Sequence, residues 1–502
     1  MPPTQQRPRR RKTRLLLLLI VLASFAALRF RPKPYDPMMG LGDYEQLRHY
    51  LGKLYANLDW SATRGGVDMR ELHAQTYHEL VQARSEKEAR RVLRGFVRHF
   101  HDPHMALRPA SAPPLDPPPS TELLSRFTPP KKACSAMSFT DDVGDFPFDM
   151  EWIGGYRRLP GSNSFPAAVL DTQGQRFGLL RIGSFATNDY RGACLREWPR
   201  FSQALPGSCE EQCQLDFQIS VNRRLLRELA WQVRQLRQAG AGALLIDVTG
   251  NGGGNSWYRR AAEILSPGPV RPFRAALVKG SHASESLQYR RQLISRYLAT
   301  HRVTPAEHAV FDEAFCRLDD LIAEAGQPCG AGALWTGEPW KLGCSRLTTR
   351  PLFGTGLFEE DPGLDLPFRI AQVVYVDHVY PRVVAAWSGP VIVLVDEGTA
   401  SAAELFAATL KFSAGAVVVG RHTASGGGGW RLGRTSWTLL RTRMQLYLPD
   451  SVEYWPDGTN AREGLEPDFC IKGFPASCDS QHMTGVWLFW TLPQLVVPPA
   501  ER

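Results

Sequence analysis

The chain has 502 residues, of which 43% are hydrophobic, 22% charged and 10% aromatic, a globular balance that excludes a disordered chain, a collagen-like fibre and a multi-span membrane protein. A net charge of +9, from 59 Lys plus Arg against 50 Asp plus Glu, would suit a nucleic-acid partner if it were spread over the chain. It is not: nine cations fall in residues 1–35, which hold no Asp or Glu, and the rest of the chain is formally neutral.

Those cations flank the apolar run Leu15–Leu28, six before it (Arg7 to Arg14) and three after it (Arg29, Arg31 and Lys33). A basic stretch ahead of a short apolar core fits a secretory signal. The run falls short of the ~20 residues of a typical spanning helix. Ser24 and Ala26 offer a small-x-small cleavage site, whereas the cations directly after the run point to an uncleaved N-terminal anchor. Both readings export the remaining chain. The cysteines agree, since they cluster as Cys194, Cys209 and Cys213, then Cys316, Cys329 and Cys344, then Cys470 and Cys478, with Cys134 ahead of them. Such spacing suggests short-loop disulfides in an oxidising compartment, and the odd count of nine leaves one thiol over. Cys209-x3-Cys213 lacks a second pair or a nearby His, so no metal site is expected.

Residues 36–105 carry apolar residues at three- and four-residue spacing and read as helices over 43–58, 67–85 and 86–100. A Pro-rich linker and irregular segment follows over 106–165. The pattern then alternates: strands at 166–171 and 176–185, a helix over 221–240 ending at Gly240, a buried strand at 243–248 and a helix over 256–266. It recurs as a strand at 390–396, a helix at 401–412, a strand at 416–420 and a hairpin from 436–440 and 444–448. This is the cue for α/β layering. Within a core spanning 166–475, residues 280–385 read as an insertion, and 476–502 form an apolar C-terminal tail.

Two loops carry the chemistry. Asp247–Ser256 (DVTGNGGGNS) places three glycines at 252–254, where backbone amides can converge on an anion or an oxyanion. No Lys-Ser/Thr follows, which argues against a phosphate-binding Walker loop. In the second loop, DEGTASAAEL, Ser401 stands between an apolar strand and a helix. Ser401-x-x-Glu404 also has the form of a capping box, in which the serine only caps the helix.

In order and spacing, GLLRIGSF, LLIDVTGNGGG, VIVLVDEGTASAAELFAATLK and AVVVGRHTASGG resemble the C-terminal processing (tail-specific) serine peptidases and their tricorn-core relatives over 176–270 and 385–470. The resemblance implies an α/β fold with a ClpP/crotonase-like repeated ββα core behind an N-terminal helical region. It implies Ser401 as nucleophile and the amides of Gly253 and Ala402 as oxyanion donors. The tail-specific branch has a Lys base 25 residues after the Ser, but position 426 is Gly here, and Lys411 lies too far along the helix from Ser401. The tricorn-like branch uses a His from the helical region, which maps to His104 in FVRHFHDPHMAL, with His101 as the alternative base and Asp102 able to orient either ring. A late acidic residue of that branch maps to Glu463 in REGLEPDF, the expected third member, holding the imidazole or a bridging water, with Glu466 and Asp468 following. No PDZ-like segment is recognisable between His104 and Phe177. The function implied is an exported serine endopeptidase acting on peptides or proteins without a cofactor; the alternative is a catalytically silent binding protein on the same fold.

Overall fold

The structure, a computed structural model, describes residues 35–470 apart from 113–119, 121, 142, 148–150, 152, 162–163, 361, 365, 376–379, 381–385, 427 and 430–435. The expected signal or anchor segment, the C-terminal apolar tail, Cys478 and the side chain of Cys470 lie outside the described residues. No helix among the described residues is long and apolar enough to cross a membrane.

The chain starts with α1 (Pro37–Leu54), α2 (Met69–Gln82) and α3 (Glu86–Arg98). Each begins at a side-chain cap: Asp36 accepts from the Met38 amide, Asp68 from Glu71 and Ser85 from Glu88. On α3, Ala89, Val92, Leu93, Phe96 and Val97 form one buried stripe at helical spacing. Strand β1 (Ala106–Pro109) follows, then β2 (Tyr156–Arg158), β3 (Ala167–Thr172) and β4 (Gln175–Arg181). Next come α4 (Arg191–Gln203), α5 (Glu211–Gln238), β5 (Ala243–Asp247), α6 (Tyr258–Ile264) and β6 (Arg274–Leu277). The expected insertion holds α7 (Ser281–Thr300), α8 (Pro305–Ala325), β7 (Leu352–Phe353) and α9 (Phe368–Val374). The chain then forms β8 (Val391–Val395), α10 (Ala402–Ala414), β9 (Val417–Gly420), β10 (Ser436–Thr438), β11 (Met444–Tyr447), β12 (Ser451–Tyr454) and β13 (Phe469–Cys470).

Among the described residues the central sheet has seven strands in the order β13-β9-β8-β5-β4-β3-β2. From β13 to β4 neighbours run parallel; β4, β3 and β2 pair antiparallel. Every residue of β5 and β8 is buried, as the apolar runs 243–246 and 391–395 require of strands covered on both faces; Asp247, which ends β5, pairs with Arg181. Two smaller sheets, β1-β11-β10 and β12-β6-β7, are also present among the described residues. The first includes the expected hairpin, with Trp437 opposite Leu446. The long helix α5 starts ten residues earlier than its pattern suggested, because Gln214 and Phe217 extend the buried stripe among polar neighbours.

The helical layer has its own apolar cluster, in which Leu47, Leu93 and Phe96 meet Trp335, Met444 and Leu446. The layer is thereby fastened to the β10–β11 hairpin. Among the described residues three disulfides form, Cys134–Cys194, Cys209–Cys213 and Cys329–Cys344, and Cys316 is free and exposed. Two of them close short loops within the expected clusters. The first spans 60 residues, because α4 packs against the helix Pro130–Ala136 and brings Cys134 to Cys194.

Arg346 pins the segment after α8 to the helical layer. Its guanidinium, 1% exposed, pairs with Asp59 and donates to the carbonyls of Gly52 and Tyr55 at 2.8 and 3.1 Å. Removing one partner of a buried, multiply bonded pair strands the others. The Arg346→Met variant is expected to lose about 3 kcal/mol of unfolding free energy, read as a lower denaturant midpoint at unchanged slope.

Candidate active site

Strands β5 and β8 are parallel neighbours, so the loops after them leave the sheet side by side. Hydrogen bonds join the two loops. Asp396 Oδ1 accepts the Gly250 amide at 2.8 Å, Thr399 Oγ1 donates to the Val248 carbonyl at 3.0 Å, and the Ala400 amide donates to the Asn251 carbonyl at 3.0 Å. Gly253 backs directly onto the serine turn, with φ +94°. A Cβ there would lie 2.7 Å from the Ala402 nitrogen and 2.8 Å from Ser401 Cβ.

Ser401 precedes α10 with φ 51° and ψ −121°. For a non-glycine residue this is a strained conformation, costing roughly 1–3 kcal/mol. Its side chain makes no capping hydrogen bond. Nor does Glu404 complete a capping box: its carboxylate accepts from Thr423 Oγ1 and from the amides of Ser425 and Gly426 at 3.1 and 2.9 Å. The hydroxyl is therefore left for another partner. His104 Nε2 lies 3.3 Å from Ser401 Oγ, and both residues line a cleft of about 1360 Å³.

His104 reaches the serine from the helical layer, through the turn between α3 and β1. Antiparallel pairing of β1 with β11, Leu107 opposite Leu446, holds that turn in register. Asp102 shapes it. Its Oδ1 accepts the His104 amide at 2.9 Å and lies 3.8 Å from His104 Nδ1. Its Oδ2 accepts Tyr55 Oη–H at 3.1 Å and faces Arg462 Nε at 3.5 Å. Burial, and then the Asp102 charge, push the Tyr55 hydroxyl well above its ordinary range, so it stays protonated and donates.

The expected site residues divide as follows. Ser401, His104, Ala402 and Gly253 come together. Ala402 is the first residue of α10, so its amide has no intrahelical acceptor. The Gly253 amide is turned into its own loop and donates to Asn251 Oδ1 at 2.9 Å. Glu463 is not brought to the imidazole. Its Oε1 accepts from Trp60 Nε1 at 3.4 Å and from Arg64 at 3.3 Å, in a separate pocket shared with His101. The adjacent Arg462 turns inward instead, and Asp102 is the carboxylate beside His104. Lys411 is tied to Glu466 and Asp468. Gly426 occupies the position of the tail-specific Lys. A Cβ there would lie 3.0 Å from the Ser401 nitrogen and 3.4 Å from His104 Cε1, so the imidazole fills the neighbouring space. Tyr55 and Arg462 gave no sequence signal beyond Arg462 preceding Glu463, and among the described residues no group of His, Cys, Asp and Glu could hold a metal.

Residues 218–471 match the family model of peptidase family S41. The chain belongs to that family. It is a serine-type peptidase, and its substrates are peptides or proteins. No curated protein matches in sequence. Among solved structures, mature CPAF complexed with lactacystin superposes over 92% of this chain and 99% of its own, with TM-score 0.57 and 16% identity. Mature CPAF superposes over 92% and 98%, with TM-score 0.56 and 16% identity. These two likenesses concern the fold. The family's mixed α/β architecture, a central sheet with helices packed on it, is the one described above.

Glu404 is the titrating group behind the serine. Burial raises its carboxyl to about 7, against the hydrogen bonds from Thr423, Gly426 and Ser425 and the His422 charge, which lower it. A folded value above the unfolded one means that the folded state keeps its proton longer. The contribution is full below the ordinary glutamate value of 4.5 and is lost as pH rises through about 7. Wild type is expected to lose on the order of 3 kcal/mol relative to Glu404→Gln between those two limits. Urea unfolding of both proteins across that range checks it; parallel pH curves would remove the assignment.

Proposed function

We propose that the protein is an exported serine endopeptidase that works through an acyl-enzyme on Ser401 with His104 as general base. The observation that carries this reading is the 3.3 Å contact between Ser401 Oγ and His104 Nε2, two residues that line the cleft, at the N-terminus of α10. Histidine is suited to take a serine proton near neutral pH. Ser401 Oγ attacks the peptide carbonyl carbon while its proton passes to His104 Nε2. The tetrahedral oxyanion accepts the Ala402 N–H. Gly253 supplies a second donor when its amide turns from Asn251 to the ligand. Each donor contributes about 3 kcal/mol when aligned. The C–N bond then breaks and His104 returns the proton to the leaving amine. Water attacks the acyl carbon, again giving a proton to His104, and the acid is released with the serine restored.

Asp102 takes the part expected of Glu463. Its charge favours the imidazolium formed in each half-reaction, and its bond to the His104 amide fixes the turn. The 3.8 Å gap to Nδ1 exceeds a hydrogen bond, as resting sites often do before substrate closes them. Export is supported by the three disulfides, which persist in oxidising compartments.

A fluorophosphonate probe is expected to label the purified protein at Ser401, and Ser401→Ala abolishes labelling. His104→Ala slows peptide hydrolysis by about 100- to 10,000-fold. Asp102→Asn slows it by ~10-fold or more, while Glu463→Gln stays within about threefold of wild type. No labelling of folded protein would sink the peptidase reading, and a Glu463→Gln loss equal to that of Asp102→Asn would return the acidic role to Glu463.

A further inference from the structure

Arg462 lies on the 461–463 turn, and its side chain runs inward behind the His104–Asp102 pair. It is 3% exposed. One guanidinium nitrogen donates to the Ser425 carbonyl, another to the Phe100 carbonyl at 2.9 Å, and Nε faces Asp102 Oδ2 at 3.5 Å. The group also lies over the Trp60 ring, 5.3 Å from its centroid. Phe100 begins the turn that bears His104. Ser425 precedes Gly426, which backs onto both Ser401 and the His104 ring. A single buried cation thus spans the loop of the base, the loop against the nucleophile and the carboxylate between them.

We infer that Arg462 is a positioning residue that acts through Asp102: it shares the Asp102 charge with His104, keeps the imidazole unprotonated at rest and holds the two loops in register. The inference rests on the His104 base reading. A buried carboxylate facing only an imidazole strongly favours the imidazolium. A second cation on that carboxylate weakens the preference, and like charges disfavour a second positive group nearby. A permanently charged guanidinium provides this at every working pH.

Asp189, Glu211, Arg369 and Glu453 line the same cleft as His104 and Ser401. Tyr55 faces Asp102 from the segment after α1 and stays protonated. Glu404 reaches Gly426 from the first turn of α10, and His422 acts on Glu404 by charge. His101, Arg64 and Glu463 share the pocket on the far side of Arg462.

The test is the pH dependence of kcat/KM for peptide hydrolysis by wild type, Arg462→Met and Arg462→Lys. The acidic limb of that profile reports the essential base of the free enzyme. Arg462→Met is expected to move the limb up by about one pH unit, since the imidazolium becomes easier to form. It also lowers the plateau by ~10-fold or more as the loops loosen. Arg462→Lys keeps a cation but loses the paired carbonyl bonds, so its limb stays near wild type while its plateau remains low. A purely structural role would lower all plateaus and leave every limb in place, and that result overturns the inference. An Arg462→Lys limb shifted up by about one pH unit from wild type overturns it too, and this comparison with wild type needs no folded Met variant. Failure of wild type to label at Ser401 sinks the underlying peptidase reading instead, which keeps the two failures apart.

Discussion

The site depends on one docking. His104 and Ser401 are 297 residues apart in sequence and belong to different layers. The helical layer must sit on the β10–β11 hairpin in a single register for an imidazole to reach the serine. Apolar burial supplies the force, through Leu93 and Phe96 of α3 against Met444 and Leu446. Directional bonds supply the register. Asp43 accepts the amides of Arg441 and Thr442 at 2.9 and 2.6 Å, the β1–β11 ladder aligns the turn, and Arg462 grips the Phe100 carbonyl. In the proposed mechanism proton transfer tolerates little misplacement, so a slide of ~1 Å at this interface would disable it.

The serine side is built by a different means. Two buried parallel strands end next to each other and present their loops at one edge. Cross-bonds through Asp396, Thr399 and Asn251 make those loops a single body. That body holds Ser401 in a conformation an isolated chain would avoid, which keeps its hydroxyl off the helix end. Glu404, which local sequence would assign to a cap, instead braces the loop carrying Gly426. The region sacrifices local preference, as sites held for chemistry commonly do.

The candidate site was partly legible. Ser401, the Gly253 loop and Ala402 follow strands whose apolar runs are unmistakable, so local pattern sufficed to find them. His104 was found through resemblance, because nothing local distinguishes it from His101. Glu463 has no direct contact with the imidazole for a physical reason: adjacent residues on a tight turn point opposite ways, and here Arg462 faces inward while Glu463 faces Trp60 and Arg64. Cysteine spacing found the two local disulfides and missed Cys134–Cys194, whose partners meet only by helix packing.

By itself, the sequence determined the layering of the chain, the buried parallel strands, the two loops at the strand ends and the serine that follows one of them. These depend on side-chain periodicity and on neighbours within a few residues, which a linear pattern records. Only the tertiary structure decided which carboxylate stands by His104, that the Gly253 amide faces Asn251, and that one buried arginine joins the His104 turn to the loop behind Ser401. Those choices turn on the direction of side chains between segments hundreds of residues apart, and no local propensity encodes that direction.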